Sequence, residues 1–262
     1  MINQGGLDRV RPFFLDIFSG EEGVARCLRA RHLACKTFDI RQGASGDIAS
    51  RSVLRRILGL IGSGNCMGIM MHIPCTTCSQ ARHPALRSHK RPRGLPGLSG
   101  NALAQLHAAN YLYDHCFTIL EKAERHRVPW MVENPRSSIL WSFAEFKRLG
   151  SLPHVETARF DMCGYGTPWK KATQVMASRF LQLQSLCRVC RPVGRLCSHS
   201  GREHIVLSGR DPQNVLWTRR AQVYPKALCS ALASLLHQAG LAKEFRHSAA
   251  RGARRELWRV WA

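Results

Sequence analysis

The sequence predicts an α/β fold with a mostly parallel central sheet. Strand-like and helix-like segments alternate, the strand segments read as buried, and a Gly-bearing turn follows the first of them. Pro12 to Ser19 (PFFLDIFS) reads as that first strand, ending at the turn that holds Gly20. Glu21 to Leu33 follows with Val24, Leu28 and Leu33 at helical spacing. Lys36 to Ile40 reads as a second short strand. Val53, Leu54, Ile57, Leu58 and Ile61 make a helical stripe that Gly62 and Gly64 end, and the apolar run Gly68 to Ile73 forms the next strand. Leu103 to His126 is the longest helical segment, and Pro129 to Glu133 (PWMVE) is a further buried strand. Ligands in such a sheet bind beyond the carboxyl ends of the strands, so Asp16 to Gly20, Pro74 to Cys75 and Glu133 to Pro135 mark the expected site.

Composition narrows the function. The 262 residues hold 39 Lys plus Arg against 17 Asp plus Glu, a formal charge of +22. With 45% hydrophobic and only 21% charged residues, this is a chain that can bury a core rather than a disordered polybasic one. Its excess positive charge calls for a polyanion, nucleic acid first. The longest uncharged stretch, Ile57 to Met71, is too short and too rich in Gly and Ser to span a bilayer. Asp8, Arg9, Arg11 and Asp16 interrupt the amino-terminal segment, so no secretory signal is expected. Eleven cysteines, an odd number, then favour thiols or metal ligands in a reducing intracellular compartment, nucleus or cytoplasm. Arg82 to Gly100 is rich in Pro, Gly and cations and reads as a long mobile loop; the Arg-rich tail from Lys243 to Arg259, with Trp258 and Trp261, suggests a helix on the core or on a partner. No protein partner is implied.

Two elements carry the chemistry. Cys75 follows Pro74 directly after a buried strand (HIPCTTCSQAR), which would expose a thiol at the sheet edge, with Cys78 as its competitor. Glu133 ends another buried strand (VENP). A thiol facing a carboxylate suits attack on an electron-poor heterocycle whose ring nitrogen is protonated at the same time. In the first turn, Gly20 and Gly23 permit close ligand approach, while Glu21 and Glu22 disfavour a diphosphate there and allow a cationic or zwitterionic nucleoside. Asp39 could accept from a ribose diol and Asp47 could reach an adenine edge; each could equally be a turn or cap residue.

DIFSGEEG, GDI, IPCTTCS, VENP, YGTPWKKAT and LWTRRAQVYP stand in the order found in cytosine-5 DNA methyltransferases, and the chain resembles that family from Phe13 to about Leu236. It looks most like the compact branch carried by viruses and mobile elements. The resemblance implies a Rossmann-like fold that binds S-adenosylmethionine, with Phe18, Gly20 and Gly23 at the cofactor, Asp39 at its ribose and Asp47 at its adenine. It further implies Cys75 as nucleophile, Glu133 as the residue that holds and protonates the pyrimidine, and Lys171 as the supporting cation. Lys171 stands where the family has Arg, Trp169 where it has Gln, Ile73 where it has Pro, and Pro135 where it has Val. The expected activity is methyl transfer to carbon 5 of cytosine, in DNA before RNA; a catalytically dead nucleic-acid-binding relic of a mobile element is the rival.

Where the family inserts a target-recognition domain, this chain has only Ser178 to Val215. The expected organisation is a catalytic core over 1–177, a small basic insert over 178–215, and a return helix with a basic tail over 216–262. Within the insert Cys187, Cys190, Cys197 and His199 have the spacing of one structural zinc site, with His204 as reserve ligand. The surrounding Arg188, Arg191, Arg195 and Arg202 would meet phosphates.

Overall fold

The computed structural model describes residues 11–260, with side chains described over 11–246. Asp8, Arg9, Trp261 and the side chain of Trp258 lie outside the described residues. Six strands form one sheet: β1 (Phe13–Ile17), β2 (Ala34–Phe38), β3 (Cys66–Met71), β4 (Trp130–Pro135), β5 (Val155–Asp161) and β6 (Ala172–Ser178), in the order β2-β1-β3-β4-β6-β5. Pairings among β2, β1, β3 and β4 are parallel, whereas β6 runs antiparallel to both β4 and β5. The order β2-β1-β3-β4 is that of a doubly wound, Rossmann-like sheet, whose strand order reverses between β1 and β3.

The helices are α1 (Gly23–Arg29), α2 (Arg51–Gly62), α3 (Gly100–Arg125), α4 (Ala144–Gly150), the single turn α5 (Trp217–Arg220) and α6 (Lys226–Val260). They cover both faces of the sheet, which is why every residue of β1 and of β3 is buried. Side-chain alternation sorts the strands between two cores. Phe13, Leu15, Ile17, Ile69, Met71, Trp130 and Val132 pack on one side with Val53, Ile57 and Ile61 of α2 and with Phe117 and Leu120 of α3. Phe14, Met70, Met131 and Val175 pack on the other with Leu28 of α1 and Leu228, Leu232 and Leu236 of α6. Each such fully buried side chain contributes about 1.5–3 kcal/mol of transfer free energy. Among the described residues no helix is long and apolar enough to cross a membrane.

The basic stretch 82–99, which leads into α3, has no regular element, yet it is anchored, which its composition does not reveal. Leu86 and Arg87 are buried. The Arg87 guanidinium donates to the Pro92 carbonyl (2.6 Å), Asn110 Oδ1 (2.7 Å) and Thr77 Oγ1 (3.3 Å), and lies over the rings of Tyr113 and Phe143. Arg93 bridges Asp114 and Glu145. At the other end Lys243, expected to open a basic tail, is buried within α6 and donates to the Cys66 carbonyl at 2.5 Å.

Candidate active site

Residues two apart on a strand share a face, so Asp16 continues the Phe14 side, Glu133 the Met131 side and His72, one residue beyond β3, the Met70 side. All three stand at carboxyl ends of adjacent strands, on the face that α6 covers, and Tyr224 lies in the turn leading into α6. A hydrogen-bonded chain joins them. Asp16 accepts from the Ala25 amide of α1 (3.1 Å), and its Oδ1 lies 3.1 Å from His72 Nε2. His72 Nδ1 is 2.9 Å from the Tyr224 hydroxyl, which donates to Glu133 Oε2. Burial, with the Glu133 carboxylate beside it, pushes the Tyr224 phenol well above its ordinary range, so it remains a donor. Glu133 is 5% exposed, and its Oε1 has no protein partner.

Cys75 sits on the loop that leaves β3. Tyr113 donates its hydroxyl to the Pro74 carbonyl (2.9 Å), and Asn134 donates its amide to the Ile73 carbonyl (2.7 Å). The residue after Glu133 thereby fixes the loop that carries Cys75. Burial pushes the Cys75 thiol up, the Lys171 ammonium opposes this, and the Glu133 carboxylate adds to the rise. Lys171 donates to the Ala221 carbonyl (3.0 Å) with its ammonium 6.0 Å from the centre of the Tyr224 ring. Cys75, Glu133, Lys171, His72 and Tyr224 line one cleft of about 1130 Å³. Cys78 is fully buried and absent from the cleft lining. Arg82, which follows Cys75 at the start of the basic stretch, donates to Gln105 (2.8 Å) and does not line the cleft.

Phe18, Gly20, Asp39 and Asp47 line the same cleft. Gly20 has φ +50, and a Cβ there would meet nothing within 4 Å, so its glycine serves backbone conformation at an open wall. Gly23 differs: a Cβ would come within 2.5 Å of Cys229 Sγ, so α6 packs directly against this position, which lines a side pocket of about 90 Å³ rather than the large cleft. Asp39 is a cap as well as a cleft residue, accepting from the Gly20 and Arg41 amides at 2.9 Å each. A carboxylate has about four acceptor sites, so two remain for a diol. Asp47 accepts from the Ala49 amide (2.9 Å). Of the acidic pair, Glu21 lines the cleft and pairs with Arg41 (2.5 Å). Glu22 turns away: its hydrogen bond from Arg29 (2.6 Å) leads the contacts that hold its carboxyl below the usual range. Arg219 and Arg220 also line the cleft.

The insert departs from its expected ligand set. Cys190 and Cys197 come together, but Cys187 and His199 do not join them. Cys187 ends the short 3-10 turn Leu183–Leu186, where it is exposed and bonded to Gln184 Oε1 at 3.2 Å. The His199 ring lies against Gly164 instead. Cys163 and the reserve ligand His204 complete the group, with all four ligand atoms within 4.8 Å of one another. Cys163 follows β5, too far upstream for ligand spacing within the insert to reveal it.

Fold and site thus define a doubly wound α/β domain with a thiol, a carboxylate and an ammonium in its principal cleft. No family model and no curated protein matches the chain. Among solved structures it is similar to a mutant of Spodoptera frugiperda DNMT2, at 14% identity and a TM-score of 0.39 over 75% of this chain and 58% of that one. It is also similar to the Entamoeba histolytica methyltransferase EhMeth, at 13% identity and a TM-score of 0.34 over 76% of this chain and 59% of that one. The chain spans less than two thirds of the length of either.

Proposed function

We propose that this chain is an S-adenosylmethionine-dependent methyltransferase acting on carbon 5 of cytosine in nucleic acid, in DNA before RNA. The observation that carries this reading is that Cys75, Glu133 and Lys171 share one cleft with Phe18, Gly20, Asp39 and Asp47. At about 1130 Å³ that cleft exceeds the usual range for a single small ligand, roughly 300–1,000 Å³, and has room for a nucleoside cofactor beside a base. Phe18 and Gly20 would border the cofactor, Asp39 would take its ribose and Asp47 its adenine.

Carbon 5 of cytosine is a poor nucleophile. The Cys75 thiolate therefore adds first to carbon 6, while Glu133 delivers a proton to the ring nitrogen, leaving an enamine that is nucleophilic at carbon 5. S-adenosylmethionine supplies the electrophilic methyl group. Loss of the carbon 5 proton to a base, with expulsion of the thiolate, restores Cys75. Lys171 stabilises the thiolate before addition. The cleft lies beyond the ends of a buried sheet, so the base must leave its helix to reach it. Arg188, Arg191, Arg195 and Arg202 are exposed on the insert and would contact phosphates, giving affinity with little sequence reading.

Purified protein incubated with labelled S-adenosylmethionine and either DNA or RNA tests this directly. 5-Methylcytosine in DNA supports the full reading. Label confined to RNA moves the substrate, and cofactor binding without 5-methylcytosine on either polymer overturns the proposal in favour of a nucleic-acid-binding relic.

A further inference from the structure

We infer that Cys163, Cys190, Cys197 and His204 form a structural zinc site that fastens the insert to the loop bearing Lys171. The three cysteines are buried in a cluster of their own, with no apolar side chain among them and apart from both cores. Thiols that serve as small hydrophobes sit among apolar neighbours. These meet one another and an imidazole. The Cys190 and Cys197 sulfurs are 3.7 Å apart, and Cys190 Sγ lies 3.7 Å from His204 Nε2. Zn–S bonds of about 2.3 Å and a Zn–N bond of about 2.0 Å at tetrahedral angles require about 3.8 Å between sulfurs and about 3.5 Å from sulfur to nitrogen. A disulfide would use two of the sulfurs and leave the third and the imidazole without a role.

The surroundings suit a thiolate-rich centre. The Ser198 hydroxyl donates to Cys190 Sγ (3.5 Å), and the His199 amide donates to Cys197 Sγ (3.4 Å), as a sulfur bearing negative charge requires. Three thiolates and a neutral imidazole around Zn²⁺ leave one net negative charge. Lys170 donates to the Cys190 carbonyl (3.2 Å) and Arg188 to the Gly164 carbonyl (3.2 Å), which brings two cations to the site. Asp161, the nearby carboxylate, accepts from the Cys190 amide (2.8 Å) and pairs with Lys170 (3.8 Å), so Lys170 is shared between it and the site. Four protein ligands leave no open position, so the metal holds structure and takes no substrate.

What it holds together follows from the chain. Cys163 lies in the turn after β5, whereas the other three ligands come from the insert. Ile205, next to His204, donates its amide to the Pro168 carbonyl (2.8 Å), three residues before Lys171. One ion therefore ties the insert to the loop that delivers Lys171 to the cleft, compensating for a segment too small to build its own core.

Metal analysis of the full chain, expressed without added metal, should give about one zinc per chain. Cys163→Ser and His204→Ala should each lose it, while Cys187→Ser and His199→Ala should retain it. Because the first pair could fail to fold, wild-type protein carries a second reading: cobalt(II) substitution should give the ligand-field spectrum of a tetrahedral, thiolate-rich site. Folded wild-type protein without zinc, an octahedral cobalt spectrum, or zinc lost from Cys187→Ser or His199→Ala would each overturn the inference.

Discussion

Tyr224 donates its phenolic hydrogen to Glu133 across 91 residues of sequence, and the same oxygen lies 2.9 Å from His72 Nδ1. Three bonds link Asp16, His72, Tyr224 and Glu133, and each needs one hydrogen. Tyr224 supplies one. In one arrangement His72 supplies both of the others and Tyr224 donates to Glu133; in a second, His72 and Glu133 supply one each and the Tyr224 hydrogen turns to His72 Nδ1. The two arrangements carry the same net charge and differ by passage of a proton through Tyr224, a path that in the proposed reaction would return a proton to Glu133. Tyr224→Phe removes the shared oxygen. It should lower the single-turnover methylation rate by about 10- to 100-fold while leaving S-adenosylmethionine affinity nearly unchanged. An unaltered rate at saturating substrates would take Tyr224 out of the proton path.

Of this hydrogen-bonded chain only Glu133, and Asp16 as the start of a marked stretch, were legible in the sequence; His72 and Tyr224 were not read as site residues, and the reasons are physical. The buried strands PFFLDIFS, Gly68 to Ile73 and PWMVE become β1, β3 and β4, because apolar runs bounded by Gly and Pro leave little choice of structure. The hairpin of β5 and β6 was not read. β5 is an edge strand with Glu156 and Arg159 exposed, so its apolar signal is diluted. Period-two counting places Asp16 and Glu133 on one face of the sheet, but nothing in a local pattern brings Tyr224 onto that face. Likewise the Cys187-x2-Cys190 spacing suggested a shared metal, whereas the chain turns outward at Cys187 and a cysteine from the sheet's hairpin replaces it.

The cleft separates the two candidate thiols. Cys75 lines it, whereas Cys78, one turn further along the same loop, is fully buried and does not. Cys75→Ser should abolish methyl transfer and preserve cofactor binding, since a hydroxyl is far less nucleophilic than a thiolate near neutral pH. Wild type and Cys78→Ser should both form a denaturation-resistant adduct with DNA containing 5-fluorocytosine. An adduct that survives Cys75→Ser and disappears in Cys78→Ser would reverse the assignment.

Lys171 is the cation that opposes the burial of the Cys75 thiol. Burial raises the Cys75 pKa and Lys171 lowers it, so Lys171→Met removes the opposing charge and the thiolate forms only at higher pH. The acidic limb of the rate profile should move upward by about one pH unit, and Lys171→Arg, which keeps the charge, should restore most of it. Identical profiles for wild type and Lys171→Met would show that another group activates the thiol.

Away from the cleft, Glu124 joins α3 to the sheet. It accepts from Trp130 Nε1 (2.7 Å), Ser178 Oγ (2.6 Å), Arg179 Nη1 (2.8 Å) and His154 Nε2 (2.9 Å), with its side chain 15% exposed. Burial alone would raise its pKa, but the bonds from Ser178, Arg179, His154 and Trp130 outweigh it and hold the carboxyl below its ordinary value. The unfolded chain then binds the proton more readily than the folded one. Stability from this group is complete above the ordinary Glu range, about pH 4.3, and is lost as pH falls through the lower folded pKa. Glu124→Gln should cost about 1–3 kcal/mol at neutral pH, because a neutral amide cannot satisfy the same donors. The gap in Tm between wild type and Glu124→Gln should therefore narrow as the pH is lowered from about 6 to about 3. A gap that stays constant across that window would mean that Glu124 does not change its charge while the fold persists.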